Sequence, residues 1–261
     1  MSKKLFIAEK PSVAQQFVEA LKVKGSRRDG YIEDDNYIIT WCVGHLVTMS
    51  YPEAYDAGMK KWSMDTIPFV PDSYKYEVLP NVSKQFGIVK GLLNRNDVDT
   101  IYVCTDSGRE GEYIYRLVDQ MAGVAPEKER RRVWIDSQTE EEILRGIRDA
   151  KPLSEYDNLG TAAYLRAKED YLMGINFSRA LTLKYSYSIK QYLGVDRCVI
   201  AVGRVMTCVL GMIVKREREI RLFVKSSFYR VVANVELSGG TFEAEWKAVE
   251  GIKYYNFNNI F

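Results

Sequence analysis

Asp106, Glu110 and Glu112 stand at even spacing in IYVCTDSGREGE, residues 101–112, with Gly108 and Gly111 between them. Carboxylates without histidine or cysteine in the same run suit a hard cation such as magnesium, which takes oxygen ligands and keeps part of its water shell. The same three acids also suit the first turn of a helix, where the dipole favours negative charge. Their spacing alone supports both readings equally.

The flanking residues say what must hold them. Ile101-Tyr102-Val103 is a short β-branched and aromatic run, as a buried strand requires. Tyr113, Ile114, Leu117 and Val118 then follow at helical spacing. The acids therefore sit where a strand turns into a helix, at the sheet edge where ligands bind in open α/β folds. A second stretch repeats the arrangement. Leu5-Phe6-Ile7-Ala8 reads as a strand delivering Glu9-Lys10-Pro11-Ser12 to a turn, and Pro11 suits the first turn of the helix that follows. If the two strands are parallel neighbours, Glu9 faces Asp106 and Glu110 across one sheet edge.

Together, IAEKPSVA (residues 7–14) and TDSGREGE (residues 105–112) resemble the Toprim domain of type IA DNA topoisomerases, nearest their topoisomerase III branch. The resemblance implies that Glu9 transfers a proton, with Lys10 beside it in the catalytic pair. It also implies that Asp106 and Glu110 hold magnesium, with Glu9 next to the ion. Gly108 departs from the family's D-x-D-x-E run, which carries an aspartate there. Two later signatures extend the likeness. RAKEDYLMGINFSR, residues 166–179, resembles the family's helical domain, where Arg166 and Asp170 lie at the strand near the cleavage site with Ser178 and Arg179 close by. Read by itself, Arg166–Asp170 is an i,i+4 surface pair of little energetic worth. AVGRVMT, residues 201–207, resembles the run that grips the backbone of single-stranded DNA through Gly203, Arg204, Val205, Met206 and Thr207. Gly203 allows close backbone approach and Arg204 supplies charged hydrogen bonds to phosphate. Ala201 and Met206 replace the serine and glutamine usual in that run.

The rest of the chain fits around these segments. Its 261 residues are 46% apolar and 28% charged, as in a soluble globular protein, and suffice for one large or two modest domains. A net charge of +2 does not by itself imply nucleic acid. Cys42, Cys104, Cys198 and Cys208 lack C-x-x-C spacing, which argues against zinc and a disulfide framework and fits a cytoplasmic setting. No run reaches membrane-spanning length, and Met1-Ser2-Lys3-Lys4 leads directly into a strand, with no leader expected. Tyr37–Cys42 reads as a strand, followed by Gly44-His45-Leu46. His45, the sole histidine, is expected to be packed and hydrogen-bonded, although the family places this triplet beside the DNA path. Residues 51–71 read as a loop-rich insertion whose Lys60-Lys61-Trp62 suits phosphate contact and base stacking, so Lys61 is counted with the strand-binding residues. Lys128–Arg132 reads as a solvated loop ahead of an edge strand Val133-Trp134-Ile135, and Thr139–Glu142 as a capping box.

The expected architecture is an α/β Toprim domain, Rossmann-like with a mainly parallel sheet, over residues 1–152. A mainly helical DNA-binding segment follows over 153–222, with Ala162, Ala163, Leu165, Ala167, Leu172 and Met173 forming one apolar face. A β-hairpin segment opens a β-rich domain over 223–261. None of the eighteen tyrosines lies in the Y-x-R-[TS] context of the family's nucleophile. The expectation is therefore an amino-terminal piece of the enzyme, inactive alone, that binds magnesium and single-stranded DNA in a groove between its first two domains. It needs no nucleotide cofactor and has no membrane partner. Toprim domains also serve primases and nucleases, but the segments around Arg166 and Gly203 resemble neither.

Overall fold

The computed structural model describes residues 2–227 and 229–246; the closing 247–261, with Tyr254, Tyr255, Phe257 and Phe261, lie outside the described residues. In chain order the elements are β1 (Lys3–Ala8), α1 (Pro11–Ala20), β2 (Ser26–Arg28), β3 (Tyr31–Glu33), β4 (Tyr37–Trp41), β5 (Val47–Met49), β6 (Tyr76–Val78), α2 (Ser83–Leu93), β7 (Val98–Cys104), α3 (Arg109–Ala122), β8 (Glu129–Arg132), α4 (Glu140–Arg148), β9 (Lys151–Pro152), α5 (Asp157–Leu193), α6 (Arg204–Arg221), β10 (Val232–Leu237) and β11 (Gly240–Glu245). Seven strands form one sheet in the order β2-β3-β4-β1-β7-β8-β9. The pairings of β1 with β4 and β7, and of β7 with β8, are parallel, and the edge pairings are antiparallel.

Apolar runs in β1 and β7 are what central parallel strands need, because helices cover both faces of such a sheet. Side chains alternate accordingly. Leu5, Ile7, Ile101 and Val103 enter one core with α2 and α3, through Val89, Leu93, Leu117 and Val118. Phe6, Ala8, Tyr102 and Cys104 enter the other with α1 and α4, through Val13, Phe17 and Ile143. The expected mainly parallel α/β fold, long helical stretch and antiparallel hairpin are all present.

Two local expectations are corrected. The strand expected at Val133–Ile135 lies at Glu129–Arg132, and its three successive arginines are not a solvated loop. As β8 pairs with β7, it carries Arg132 into the interior, where the guanidinium finds a carboxylate partner. The apolar residues of α5 do not share one face either: Ala163 is buried, whereas Leu165 and Met173 are exposed. At 100° per residue the packed stripe must follow i, i+3, i+4, i+7. It runs through Gly160, Ala163, Tyr164 and Ala167.

The described residues divide into two compact units, 1–207 and from Cys208 on. In the first, α5 packs on α3, with Tyr164 edge-on to Tyr113 at 5.2 Å, so the unit continues past the sheet. The second holds the rest of α6 and the β10–β11 hairpin. In that hairpin Ala233 opposes Ala244 and Val235 opposes Phe242.

Candidate active site and strand-binding surface

The register of β1 against β7 sets Ala8 opposite Cys104, so both strands end together and deliver Glu9 and Asp106 to the same edge. Glu9 is only 7% exposed, and its Oε2 accepts the Asp106 backbone N–H at 3.2 Å. Burial, and then the Asp106 charge, hold the Glu9 carboxyl above the usual carboxylate range. Lys10 Nζ lies 3.7 Å from Glu9 Oε1 and 3.6 Å from Asp106 Oδ2, between the two acids. Glu110 stands in the first turn of α3 and its Oε1 is 2.6 Å from His45 Nε2. The sole histidine is thus hydrogen-bonded, but it is not packed away as expected: its side chain is 39% exposed and its partner is a site carboxylate. Gly111 makes this compact turn feasible: a Cβ there would meet the Asp106 carbonyl oxygen at 2.1 Å.

Glu112, the third acid of the run, turns inward instead. Its side chain and that of Arg132 are fully buried and paired, Arg132 Nε to Glu112 Oε2 at 2.9 Å. The other Arg132 nitrogens donate to the carbonyls of Val103 (3.0 Å), Thr105 (2.7 Å), Val133 (3.1 Å) and Asp106 (2.7 Å). Burial works against the charge of Arg132, drawing its pKa below the ordinary guanidinium value, with Glu112 the chief opposing influence. Arg132 therefore ties down the turn that presents Asp106. No motif announced it; the only signal was an acid run one member longer than an exposed site needs.

The donor set, carboxylate oxygens alone, is of the kind a hard divalent cation takes. Asp106 and Glu110 present accessible carboxylate oxygens, and Glu9 lies beside Asp106. Among the described residues no group of three His, Cys, Asp or Glu side chains is placed to hold an ion.

A second cluster lies on α5, the first turn of α6 and the residues just before it. Arg204 bonds Asp170 Oδ1 through Nε (2.9 Å) and Glu169 Oε2 through Nη2 (2.8 Å). Arg166 approaches Asp170 at 4.0 Å. Ser178 Oγ accepts Val202 N–H at 2.9 Å, and Thr207 Oγ1 accepts Gly203 N–H at 3.1 Å, so the 202–207 turn is pinned to α5. Val205 and Met206 are exposed on its outer side. The structure thus brings Arg166, Asp170, Ser178, Gly203, Arg204 and Thr207 together, with Arg204 held by carboxylates rather than standing free.

Arg179 lies beside this cluster, at a cavity of about 470 Å3 that Asp170 and Ser178 line together with Tyr51, Trp62, Tyr171 and Ile175. It is 3% exposed and packs over the Trp62 ring at 5.4 Å. Its Nη2 is 3.9 Å from Glu53, and its Nη1 has no hydrogen-bond partner among the described residues. Lys61 is exposed, next to Trp62.

Comparison with known proteins agrees with this geometry. Residues 4–137 match the family model described as Toprim domain, and residues 154–258 match the one described as DNA topoisomerase. DNA topoisomerase 3 of Bacillus subtilis (strain 168) is 39% identical over 236 residues, 90% of this chain and 30% of that protein. DNA topoisomerase 3 of Staphylococcus aureus (strain MRSA252) is 38% identical over 234 residues, 90% of this chain and 31% of that protein. The chain therefore spans about 30% of the length of the curated relatives it matches. With both family models and the Glu9–Asp106 edge in agreement, the chain belongs to the type IA DNA topoisomerase family and is topoisomerase III-like.

Proposed function

We propose that this chain supplies the acid site and part of the strand-binding surface of an enzyme that cuts and rejoins single-stranded DNA through a 5′-phosphotyrosine, so changing DNA topology. The observation that carries this reading is Glu9: a buried carboxyl with a raised pKa, fixed by the Asp106 N–H at the edge where two parallel strands end. A carboxyl so placed keeps a proton at higher pH than an exposed glutamate does and can give it to a departing 3′ oxygen. The same group takes the proton back when the strand is resealed. Lys10 offsets the charge of Glu9 and Asp106 together and offers an ammonium to phosphate. Asp106 and Glu110, with Glu9 beside them, would hold magnesium, whose contribution is to neutralise phosphate charge.

The strand-binding residues are Arg166, Asp170, Ser178 and the 203–207 turn, with Arg179 and Lys61 beside the cavity. When Arg204 moves from Glu169 and Asp170 to a phosphate it exchanges one charged partner for another, so binding is modest and weakens with salt. Backbone contact gives little sequence preference. The cutting tyrosine belongs, on this reading, to the part of the relatives' length that this chain does not span. No described helix is long and apolar enough to cross a membrane. The four cysteines are free, as the reducing cytoplasm would keep them. Competition anisotropy tests the reading: an unpaired oligonucleotide should displace a labelled strand at lower concentration than a duplex of equal length. Equal competition by the two would sink it.

A further inference from the structure

We infer that Asn176 is a positioning residue, whose side-chain amide pins the 51–71 insertion to α5 and so sets Trp62 against Arg179 at the wall of the strand-binding cavity. This rests on the strand-binding reading above and adds a residue that makes no strand contact itself. Phe69 N–H donates to Asn176 Oδ1 at 2.6 Å, and Asn176 Nδ2 donates back to the Phe69 carbonyl at 2.8 Å. Nδ2 also donates to the Leu172 carbonyl at 2.9 Å, which fixes the amide on its own helix. One side chain thus satisfies both backbone groups of a residue 107 positions away.

The start of the insertion is tied down separately: the Tyr55 hydroxyl accepts the Lys75 N–H at 2.6 Å, Lys75 Nζ donates to the Ala54 carbonyl at 2.9 Å, and Glu53 lies 3.9 Å from Arg179. The insertion's only regular pieces are 3-10 turns at Pro52–Ala54, Ala57–Lys60 and Met64–Thr66, none longer than four residues. Short turns of this kind do not propagate a rigid position over twenty residues. Phe69 is 5% exposed and meets Tyr55 and Tyr171 edge-on at 5.2 and 6.3 Å, and the Tyr171 hydroxyl donates to the Ser50 carbonyl at 2.6 Å. These contacts anchor both ends of the segment that carries Lys61 and Trp62. The amide is chemically specific as well. It must accept from an N–H and donate to a C=O at once, which neither a carboxylate nor an alkyl group can do. Without the clamp the insertion keeps its apolar contacts at Phe69 but loses the fixed distance between Trp62 and Arg179.

The test combines fluorine NMR and DNA affinity in the whole chain. With 5-fluorotryptophan incorporated, Trp62→Phe assigns the Trp62 resonance. In Asn176→Ala that resonance should shift and broaden while those of Trp41 and Trp134 stay. Affinity for an oligothymidylate should fall roughly fivefold to tenfold, the scale of one aromatic contact. In a Trp62→Ala background the same substitution should cost less than about twofold, because the clamp acts through Trp62. Asn176→Asp, which keeps the volume and the acceptor but loses the donor, should behave like Asn176→Ala and serves if the alanine variant folds poorly. An unmoved Trp62 resonance would overturn the proposal, as would equal losses in both backgrounds. A moved resonance with unchanged affinity would also overturn it. In that case Arg204→Ala decides the fate of the strand-binding reading: a loss there keeps it, and no loss removes it too.

Discussion

Glu112→Ala should be the most destabilising single substitution around the acid site. Arg132 and Glu112 have no exposed side-chain surface, and Glu112 is the only carboxylate paired with Arg132 among the described residues. After the substitution Arg132 keeps its bonds to the carbonyls of Val103, Thr105, Val133 and Asp106, but these are dipoles and do not balance its charge. Leaving such a charge buried and unpaired costs about 3–5 kcal/mol, a large share of the roughly 5–15 kcal/mol that stabilises a domain. Arg116 adds little to this loss, because it retains Asp157 at 2.9 Å and the Leu153 carbonyl at 3.1 Å. Arg132→Met should cost less, about 1–3 kcal/mol, since Glu112 still holds Arg116 at 2.8 Å. The double variant Glu112→Leu/Arg132→Met should be more stable than Glu112→Ala, because no buried charge of Arg132 is left without a partner. Urea unfolding followed by circular dichroism measures all three, with equal slopes showing that the unfolded states are comparable. A cost under about 1 kcal/mol for Glu112→Ala would refute the reasoning. So would an Arg132→Met variant less stable than Glu112→Ala, which would put the carbonyl bonds ahead of the charge.

Glu9→Gln should raise the metal-free chain's stability at neutral pH by about 0.5–2 kcal/mol, the usual gain from relieving an unfavourable site group. The sign follows from the raised Glu9 pKa: ionising it costs the fold nothing below the unfolded value of 4.5, and the cost grows as pH rises through the folded pKa. The gain should therefore vanish near pH 4 in thermal melts, and a constant gain at all pH values would contradict it. Gly108→Asp should tighten magnesium by about tenfold, since ligand charge count tunes such sites. A Cβ at position 108 meets nothing within 4 Å, so the aspartate fits without strain. Calorimetry should show that gain, and a loss of heat in Asp106→Asn; unchanged heats in both would remove this turn from the metal site. Arg204→Ala should weaken binding to an unpaired oligonucleotide about fivefold and flatten the salt slope by about 0.7. Unaltered anisotropy curves at two salt concentrations would mean that its pairs with Glu169 and Asp170 are its whole role.

The acid site was legible because it is assembled from local signals in simple register. Two apolar runs each end in acids, parallel pairing of β1 with β7 aligns their ends, and Glu9 meets Asp106 without further information. The helix after Asp106 was equally plain from Tyr113, Ile114, Leu117 and Val118, all of which are buried. Arg132 was not legible: three consecutive arginines signal solvent by composition, and the carboxylate that draws one of them inside lies 20 residues earlier. The partner of His45 was hidden for the same reason, across 65 residues. The apolar residues of α5 misled because a helix that touches its neighbour along one narrow stripe leaves others, such as Leu165 and Met173, exposed. The cavity around Arg179 depends on a clamp spanning 107 residues, for which no periodicity exists to read.

Whether Glu9 keeps its proton to higher pH than an exposed glutamate is measured directly by carbon-detected NMR of the glutamate side chains against pH. Glu9, identified by its loss in Glu9→Gln, should titrate above the usual glutamate range. Burial is the larger cause and the Asp106 charge the second, so Asp106→Asn should bring it only part of the way down. A Glu9 that titrates like an exposed glutamate, unmoved by Asp106→Asn, would contradict the assignment of Glu9 as the proton-transfer group.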